Sequence, residues 1–301
     1  MRKRKVLVSL ITKDNDYQLE QSRSAESMAE RLGLQVEVVF AGGDAVDQST
    51  QVLKVVQSAP EMRPDAIVIE PAGGTAFPQV ARAAVNSGIA WAVLNREATY
   101  LFELRQSAKV PVFGVSADQV EVGRIQCRQC AALLPRGGSI LYIQGPSESS
   151  VAKERSMGLQ ETKPASIRLT TLKGQWTEES AQRAVASWLK LSTFRNTKID
   201  LIAGQNDSMA IGARRAFQEL LSELEREPWL NVPYIGVDGV TNTGQAWVRS
   251  GLLTATVVTP PSAGPAIELL AAALQSGKTP PERNLTQCFS LPPIETLRPA
   301  N

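Results

Sequence analysis

Amide and carboxylate side chains follow two buried apolar runs of this sequence, at the points where each run ends. The run 199–203 leads into Gln205 and Asn206, and the run 234–237 leads into Asp238. An Asn or Asp at such a junction caps the unpaired N–H groups of a following helix. In open α/β sheets, ligands bind outside the carboxyl ends of the strands. Asn206 and Asp238 therefore have two interpretations, a cap or turn residue and a hydrogen-bonding partner of a polar ligand.

Arginine and aromatic side chains stand close after other predicted strands. Arg96 and Arg155 supply planar guanidinium groups, which hold neighbouring hydroxyls through charge-assisted, often bidentate hydrogen bonds. Tyr17 and Trp176 supply rings that cover apolar C–H faces and exclude water. This mixture is typical of a site for a sugar or polyol, and Glu70 could line the same site or pair with an arginine. Taken singly, Arg155 could be a solvated helix residue and Trp176 a partly buried surface aromatic.

The composition excludes several other chemistries. The 301 residues contain no histidine, which removes Ser-His-Asp and Cys-His catalysis and most zinc sites. We therefore expect a protein that is not an enzyme and that holds no metal and no cofactor. The 32 basic and 30 acidic residues give a net charge of +2, so the composition lacks the excess of basic residues that is typical of nucleic-acid-binding proteins.

Three cysteines allow at most one disulfide within the chain. Cys127 and Cys130 have CxxC spacing, but they fall inside a helical pattern that follows Asp118. Redox or metal use of this motif needs an accessible strand-to-helix turn or further ligands. We interpret both cysteines as small helix residues.

The first residues, 1–5, resemble the basic region of a signal peptide, but the apolar run 6–11 is shorter than the roughly 7–15 residues that such a peptide needs. We read this run as the first buried strand. As written, the sequence predicts a cytoplasmic protein, and a periplasmic or extracellular one if a native signal sequence has been removed. No segment approaches the ~20 apolar residues of a membrane span, so we expect no membrane insertion.

Short apolar runs alternate with longer amphipathic segments along the chain, and this alternation positions the residues above. Continuous β-branched runs, such as 66–69, indicate buried parallel strands, whereas apolar spacings of three and four indicate helix faces. Two such series in succession predict an α/β protein with two doubly wound, Rossmann-like parallel-sheet domains.

The tail after the second series is too short for a third domain, so we expect the two domains to share it. The predicted N-terminal lobe comprises 1–117 plus 260–288, and the predicted C-terminal lobe comprises 118–259 plus 289–301. The chain would then cross between the lobes three times, which gives a three-strand hinge.

The motifs resemble, in order and spacing, the type I periplasmic binding proteins of the ribose-binding family and the related lactose-repressor-type regulators. Sugar-binding members carry an asparagine and aromatics after strand one, where this chain has Asn15 and Tyr17. They carry an Asp-Arg pair after strand four, where it has Asn95 and Arg96, and often a glutamine where it has Thr259. The resemblance implies nine ligand-binding residues: Asn15, Tyr17, Asn95, Arg96, Arg155, Trp176, Asn206, Asp238 and Thr259.

The resemblance also implies a function. A solute-binding protein of this kind captures a small polar ligand, here a monosaccharide or polyol, in an interdomain cleft for uptake by an ABC permease. The ligand contacts both domains and so shifts an open–closed equilibrium toward hinge closure. The alternative is a cytoplasmic ligand-sensing module that works through a sensor protein and lacks its own DNA-binding domain. In both cases we expect a monomer that binds no nucleic acid directly.

Overall fold

The computed structural model describes residues 3–73, 77–192 and 197–299. The chain divides into two compact units. The first comprises Met1–Ala117 and Pro261–Thr286, and the second comprises Asp118–Pro260 and Gln287–Asn301. Neither unit is a single continuous segment, because the chain returns to each of them after leaving it.

Within the described residues the chain forms twelve β-strands and eleven α-helices. The strands are β1 (Lys5–Leu10), β2 (Gln35–Phe40), β3 (Ala66–Ile69), β4 (Ala90–Leu94), β5 (Val112–Ala117), β6 (Gly138–Gln144), β7 (Ile167–Lys173), β8 (Leu201–Gly204), β9 (Tyr234–Asp238), β10 (Ala255–Val258), β11 (Arg283–Thr286) and β12 (Phe289–Leu291). The helices are α1 (Asp16–Arg31), α2 (Ala45–Val56), α3 (Pro78–Asn86), α4 (Tyr100–Ser107), α5 (Gln119–Leu133), α6 (Ser150–Thr162), α7 (Glu178–Leu189), α8 (Asp207–Leu220), α9 (Glu223–Asn231), α10 (Gly244–Arg249) and α11 (Ala263–Ser276). None of the described helices is both long and apolar enough to cross a membrane.

The first unit contains a six-stranded sheet in the order β11-β5-β4-β3-β1-β2, and all its strand pairs are parallel. Its strands β3 and β4 are buried along their whole length, as a parallel sheet with helices on both faces requires. The strand order reverses direction between β1 and β3. In doubly wound sheets the ligand crevice lies outside the carboxyl ends of the strands at this switch point.

The second unit repeats the arrangement with the order β12-β10-β9-β8-β6-β7, so its switch point lies between β6 and β8. Four of its five strand pairs are parallel, and β12 pairs with β10 in the antiparallel sense. An antiparallel edge strand is common on otherwise parallel sheets. The α/β class with two doubly wound sheets, predicted from the sequence, is confirmed.

Apolar side chains pack on both faces of each sheet because successive strand residues point to opposite sides. In β1, for example, Val8 faces one core cluster of the first unit and Leu7 faces the other. In the second unit, Cys127 and Cys130 of α5 lie in the core under the sheet. Burial raises the pKa of both thiols, which disfavours the reactive thiolate form. The two cysteines are core residues of a helix, as their position in the sequence pattern predicts.

Helix α4 packs on one face of the first sheet. Leu101 and Leu104 are buried in the same cluster as Trp91, whose indole Nε1 donates a hydrogen bond to the hydroxyl of Tyr100 at 3.0 Å. Arg105 donates to the carbonyl oxygen of Pro280 at 2.9 Å. This segment therefore fastens the end of the first series to the returning tail of the chain.

Candidate functional site

A buried carboxylate, Glu70, lies directly after β3 at the switch point of the first sheet. Its side chain is buried, with 2% relative exposure, and Gln21 Nε2 and Asn95 Nδ2 donate to its Oε2 at 3.3 and 3.2 Å. Arg96 Nη1 lies 3.7 Å from its Oε1. Burial raises the pKa of Glu70, while the positive charge of Arg96 opposes that rise. Glu70 is thus the centre of a polar cluster at the edge of the sheet where ligands bind in this class of fold.

Asn95 holds this cluster together. Its backbone is left-handed (φ 51°), a conformation that asparagine tolerates better than most residues. Its Nδ2 also donates to the hydroxyl of Tyr17 at 3.4 Å, and its Oδ1 accepts from Ser262 Oγ at 2.8 Å. Both ends of the Asn95 amide are therefore engaged within the first unit, where they orient Tyr17 and Glu70.

Asn15 begins α1 as its N-cap, because its side-chain oxygen accepts from the backbone N–H of Gln18 at 3.2 Å. The Gln18 side chain in turn accepts from the backbone N–H of Ile11 at 2.9 Å. These two bonds fix the loop after β1 and the first turn of α1, from which Tyr17 projects. The cap explains why an asparagine stands at this position.

The second unit carries a buried ion pair between Arg155 of α6 and Asp238 at the end of β9. Arg155 Nη1 and Nη2 both lie 3.3 Å from Asp238 Oδ1, and the two residues are 5% and 9% exposed. Arg155 Nε also donates to Gln119 Oε1 at 2.8 Å, and Nη1 donates to the carbonyl oxygen of Gln205. A buried ion pair of this kind is costly to desolvate and adds little net stability. Its placement at the carboxyl edge of the sheet therefore indicates a role other than holding the fold.

Trp176 lies against this ion pair. The guanidinium carbon of Arg155 is 5.8 Å from the centre of the Trp176 ring, within the range of a cation–π contact. The ring packs on Gly145, where any Cβ atom would overlap it. Asn206 supports the Trp176 backbone by donating to its carbonyl oxygen at 2.9 Å, while the other end of the amide accepts from Met209 N at 2.9 Å and caps α8. Asn206 is therefore a cap and also a positioning residue for Trp176.

Two buried side chains next to Asn206 fix the surrounding loops. Gln205 accepts from Gly145 N at 2.8 Å and donates to Tyr142, Ala152 and Ser156. Asp207 accepts from Gly239 N at 2.7 Å and from Thr256 Oγ1 at 2.6 Å.

Thr259 lies beside Asp238, the carboxylate of the ion pair. Its backbone N–H donates to the Asp238 carbonyl oxygen at 3.0 Å, and its hydroxyl lies 3.5 Å from the same oxygen. The turn that presents the Asp238 carboxylate is thus held by backbone bonds on one side and by Asp207 on the other.

Backbone strain is concentrated at the predicted site. Among the described residues, four residues other than glycine have a positive φ: Phe77, Asn95, Trp176 and Asp238. Such conformations cost on the order of 1–3 kcal/mol each and cluster at functional sites. Three of the four belong to the nine residues that the sequence predicts for ligand binding.

Within each unit, the structure brings the predicted residues together. Four of them lie around Glu70 in the first unit, or in the loop and helix turn next to it: Asn15, Tyr17, Asn95 and Arg96. In the second unit, each of the other five contacts at least one more of them: Arg155, Trp176, Asn206, Asp238 and Thr259. Among the described residues, no group of three or more His, Cys, Asp and Glu side chains is placed to hold a metal ion.

Sequence reasoning missed three polar residues that support this site: Gln21, Gln119 and Ser262. Gln21 is the strongest signal that was available, because it occupies a buried position of α1 in line with Ala25, where an apolar residue is expected. Gln119 stands at the first position of α5, and Ser262 at the N-cap of α11. Only the fold shows that these two bond Arg155 and Asn95.

A sequence model of the periplasmic binding protein domain matches residues 6–279 of the chain. This chain belongs to the periplasmic binding protein family. The match confirms the family predicted from the motifs, and the family is made up of ligand-binding proteins.

Relatives in this family include sugar-binding proteins. The chain is 29% identical over 211 residues to a D-ribose/D-allose-binding protein of Pseudomonas aeruginosa, a match that covers 68% of this chain and 64% of that protein, slightly under two thirds. It is 25% identical over 257 residues to the ribose import binding protein RbsB of Escherichia coli, covering 85% of this chain and 79% of that protein.

Solved structures share the fold. The crystal structure of an ABC transporter periplasmic solute binding protein from Actinobacillus succinogenes 130z, with bound D-allose, superimposes with a TM-score of 0.80. The superposition covers 96% of this chain and 97% of that chain at 20% sequence identity. At this level of identity the similarity establishes the fold, while the chemistry of the site rests on the residues described above.

Proposed function

We propose that this protein captures a monosaccharide or polyol and delivers it to an ABC transporter for uptake. The observation that carries the proposal is the buried Arg155–Asp238 pair on the face of Trp176, at the carboxyl edge of the second sheet. Two relatives support a sugar as the ligand, since one is named as a D-ribose/D-allose-binding protein and the other as a ribose import binding protein.

The chemistry of the pair fits a sugar. Each hydroxyl of a sugar can donate one hydrogen bond and accept others, so a carboxylate oxygen and a guanidinium N–H can serve neighbouring hydroxyls at once. Bonds to charged groups contribute about 1.5–3 kcal/mol. The indole of Trp176 offers an apolar surface to the C–H face of the ring.

We further propose that the polar edge of the first unit contacts the same ligand. In this proposal the two units are the lobes of the binding protein. Tyr17 supplies an aromatic surface from the first lobe and Trp176 one from the second. Arg96 donates hydrogen bonds to hydroxyls of the ligand from the first lobe. Four further residues act mainly by holding these ligand-contacting side chains in position: Asn15, Asn95, Asn206 and Thr259. The hydrogen bonds described above already occupy their side chains or fix the loops in which they lie.

The proposed mechanism is ligand-driven closure. A ligand that contacts both lobes binds the closed state more tightly than the open one and shifts the population toward it by that difference in affinity. The partner in this proposal is a permease that recognises the closed form of a monomeric binding protein outside the cytoplasmic membrane. The relative named as a ribose import protein favours uptake over the sensing alternative.

A thermal-shift screen tests the proposal. The purified protein is heated with single sugars, polyols, nucleosides and amino acids, and a ligand that binds the native state alone raises the melting temperature. We expect at least one pentose, hexose or cyclic polyol to do so. Asp238→Asn should lose the shift, whereas Asp47→Asn, an exposed carboxylate on α2, should keep it. A shift only with amino acids or nucleosides would refute the ligand class.

A further inference from the structure

A second concave surface lies at the opposite end of the second unit from the Arg155–Asp238 pair. It is a groove of about 1450 Å³ at the amino ends of β6, β8, β9 and β10. Its volume exceeds the roughly 300–1,000 Å³ typical of a pocket for one small molecule. The proposed sugar site does not use any of its lining residues, so its role is independent of the proposed function.

The groove is strongly cationic. Among the described residues that line it, five are basic and one is acidic: Arg136, Arg168, Lys198, Arg214, Arg298 and Asp200. The whole chain, by contrast, has 32 basic and 30 acidic residues. The local excess of four positive charges is therefore a property of this surface and not of the chain as a whole.

The charges around the groove differ in how firmly they are held. Arg214 lies over the ring of Tyr234 at 5.1 Å and donates to the carbonyl oxygen of Leu230 at 2.9 Å, so its position is fixed. Asp200 accepts from the backbone N–H of Ser139 at 2.9 Å and pairs with Lys198 at 3.0 Å. The acidic residue is thus engaged within the unit, while Arg136, Arg168 and Arg298 are exposed to solvent.

Apolar side chains line the same groove between the charges. Trp229 is stacked on Phe217 with ring centres 4.7 Å apart, which makes it a rigid part of the wall. Leu252 is 40% exposed, and Pro233 adds a further apolar surface. Aromatic and arginine side chains are enriched at protein–protein contacts.

We propose that this groove is a docking surface for an acidic peptide segment of a partner protein, in which carboxylates alternate with apolar side chains. The carboxylates pair with the arginines, and the apolar side chains contact Trp229 and Leu252. A single inorganic anion would leave most of the groove empty. A membrane surface would contact convex or flat regions, whereas these charges surround a concavity. Such electrostatic complementarity raises association rates and selects the partner.

Fluorescence anisotropy of a labelled octapeptide of alternating aspartate and leucine tests the proposal on the full chain. The matched control peptide has asparagine in place of aspartate. The test variant is Arg136→Gln/Arg168→Gln, and the control variant is Arg183→Gln/Arg249→Gln, which removes two exposed arginines of the same unit that do not line the groove. Melting temperatures of both variants check that the fold is retained.

We expect the aspartate peptide to bind, the asparagine peptide to bind more weakly, and the affinity to fall with added salt. The groove variant should weaken binding by about tenfold, as loss of charge-assisted contacts predicts, and the control variant by much less. Equal binding of the two peptides, or equal losses in the two variants, would overturn the proposal. So would binding of inorganic polyphosphate or of phosphatidylglycerol vesicles without binding of the peptide.

Discussion

At the scale of single residues, Glu70 has the environment with the clearest consequence for pH. It is buried beside one positive charge, Arg96, and it accepts hydrogen bonds from neutral amides of Gln21 and Asn95. Burial raises its pKa above the ordinary value of 4.5. A carboxyl group with a raised pKa in the folded state binds its proton more tightly there than in the unfolded chain.

This environment predicts the sign of a pH effect on stability. The contribution of Glu70 is fully present below pH 4.5 and is lost as the pH rises through the raised pKa of the folded state. The free energy of unfolding of the parent, relative to Glu70→Gln, should therefore fall as the pH rises from 4 through that range. Urea unfolding at a series of pH values measures it. A difference that stays constant or grows with pH would contradict the assignment.

The Arg155–Asp238 pair yields a second prediction at this scale. Asp238→Ala leaves a buried guanidinium without its carboxylate, which should lower the free energy of unfolding by about 3–5 kcal/mol. The double variant Arg155→Leu/Asp238→Ala should lose less than the sum of the single variants, because the unpaired charge is then absent. Denaturant unfolding of the four proteins gives the coupling. Strict additivity would show that the two side chains do not act as a pair.

The sequence predicted Asp238 because it follows a recognisable strand, and Arg155 from the resemblance to sugar-binding proteins; both carry chemistry suited to a polar ligand. It did not predict the bond between Asn95 and Ser262, whose positions are 167 residues apart, or that between Gln21 and Ala263, 242 residues apart. These contacts depend on the return of the tail helix to the first unit. The sequence predicts that the two domains share the tail, but it contains no local pattern that reports which side chains then meet.

At the scale of elements, the close packing of α5 on α6 positions Arg155. Gly123 and Gly158 face the partner helix, and a Cβ on either would overlap backbone atoms, those of Arg155 and Val120 respectively. The contact also brings Gln119 of α5 within 2.8 Å of Arg155 Nε on α6. The two glycines therefore set the position of a binding residue as well as the packing of two helices.

Gly158→Ala should accordingly destabilise the fold by about 1–3 kcal/mol through overpacking, and it should weaken ligand binding because α6 carries Arg155. Gly114→Ala is a matched control, since a Cβ there meets its neighbours at 3.6 Å or more in ordinary contact. Thermal unfolding and ligand titration of both variants measure the effects. Equal effects of the two substitutions would show that the glycine contacts do not set the packing of these helices.

Most elements follow from the sequence pattern, and the exceptions have physical causes. The alternation of apolar runs and amphipathic segments predicts the parallel sheets, because buried strands are continuous in apolar residues. The tail carries two short strands, of which β11 extends the first sheet and β12 the second. Neither strand has a fully buried residue, because edge strands bury only part of their surface, so neither shows the continuous apolar run of the inner strands.

At the scale of the whole molecule, the two units have the same design. Each carries arginine, an aromatic ring and a buried carboxylate at the carboxyl edge of its sheet. The carboxylate is Glu70, directly after β3, in the first unit and Asp238, at the end of β9, in the second. A solute-binding protein needs such a polar edge on both lobes if one ligand is to be contacted by both. In the proposed function, a single sugar depends on both edges at once.

Isothermal titration calorimetry with the sugar that gives the largest melting shift tests whether binding depends on both units. The variants are Arg96→Gln in the first unit and Trp176→Leu in the second, with Arg82→Gln on the exposed face of α3 as the control. We predict one binding site per chain and a loss of affinity of about tenfold or more in each of the two site variants, from a lost charged hydrogen bond or a lost aromatic contact. The control should bind like the parent. An unchanged dissociation constant in either site variant would contradict a ligand held by both units.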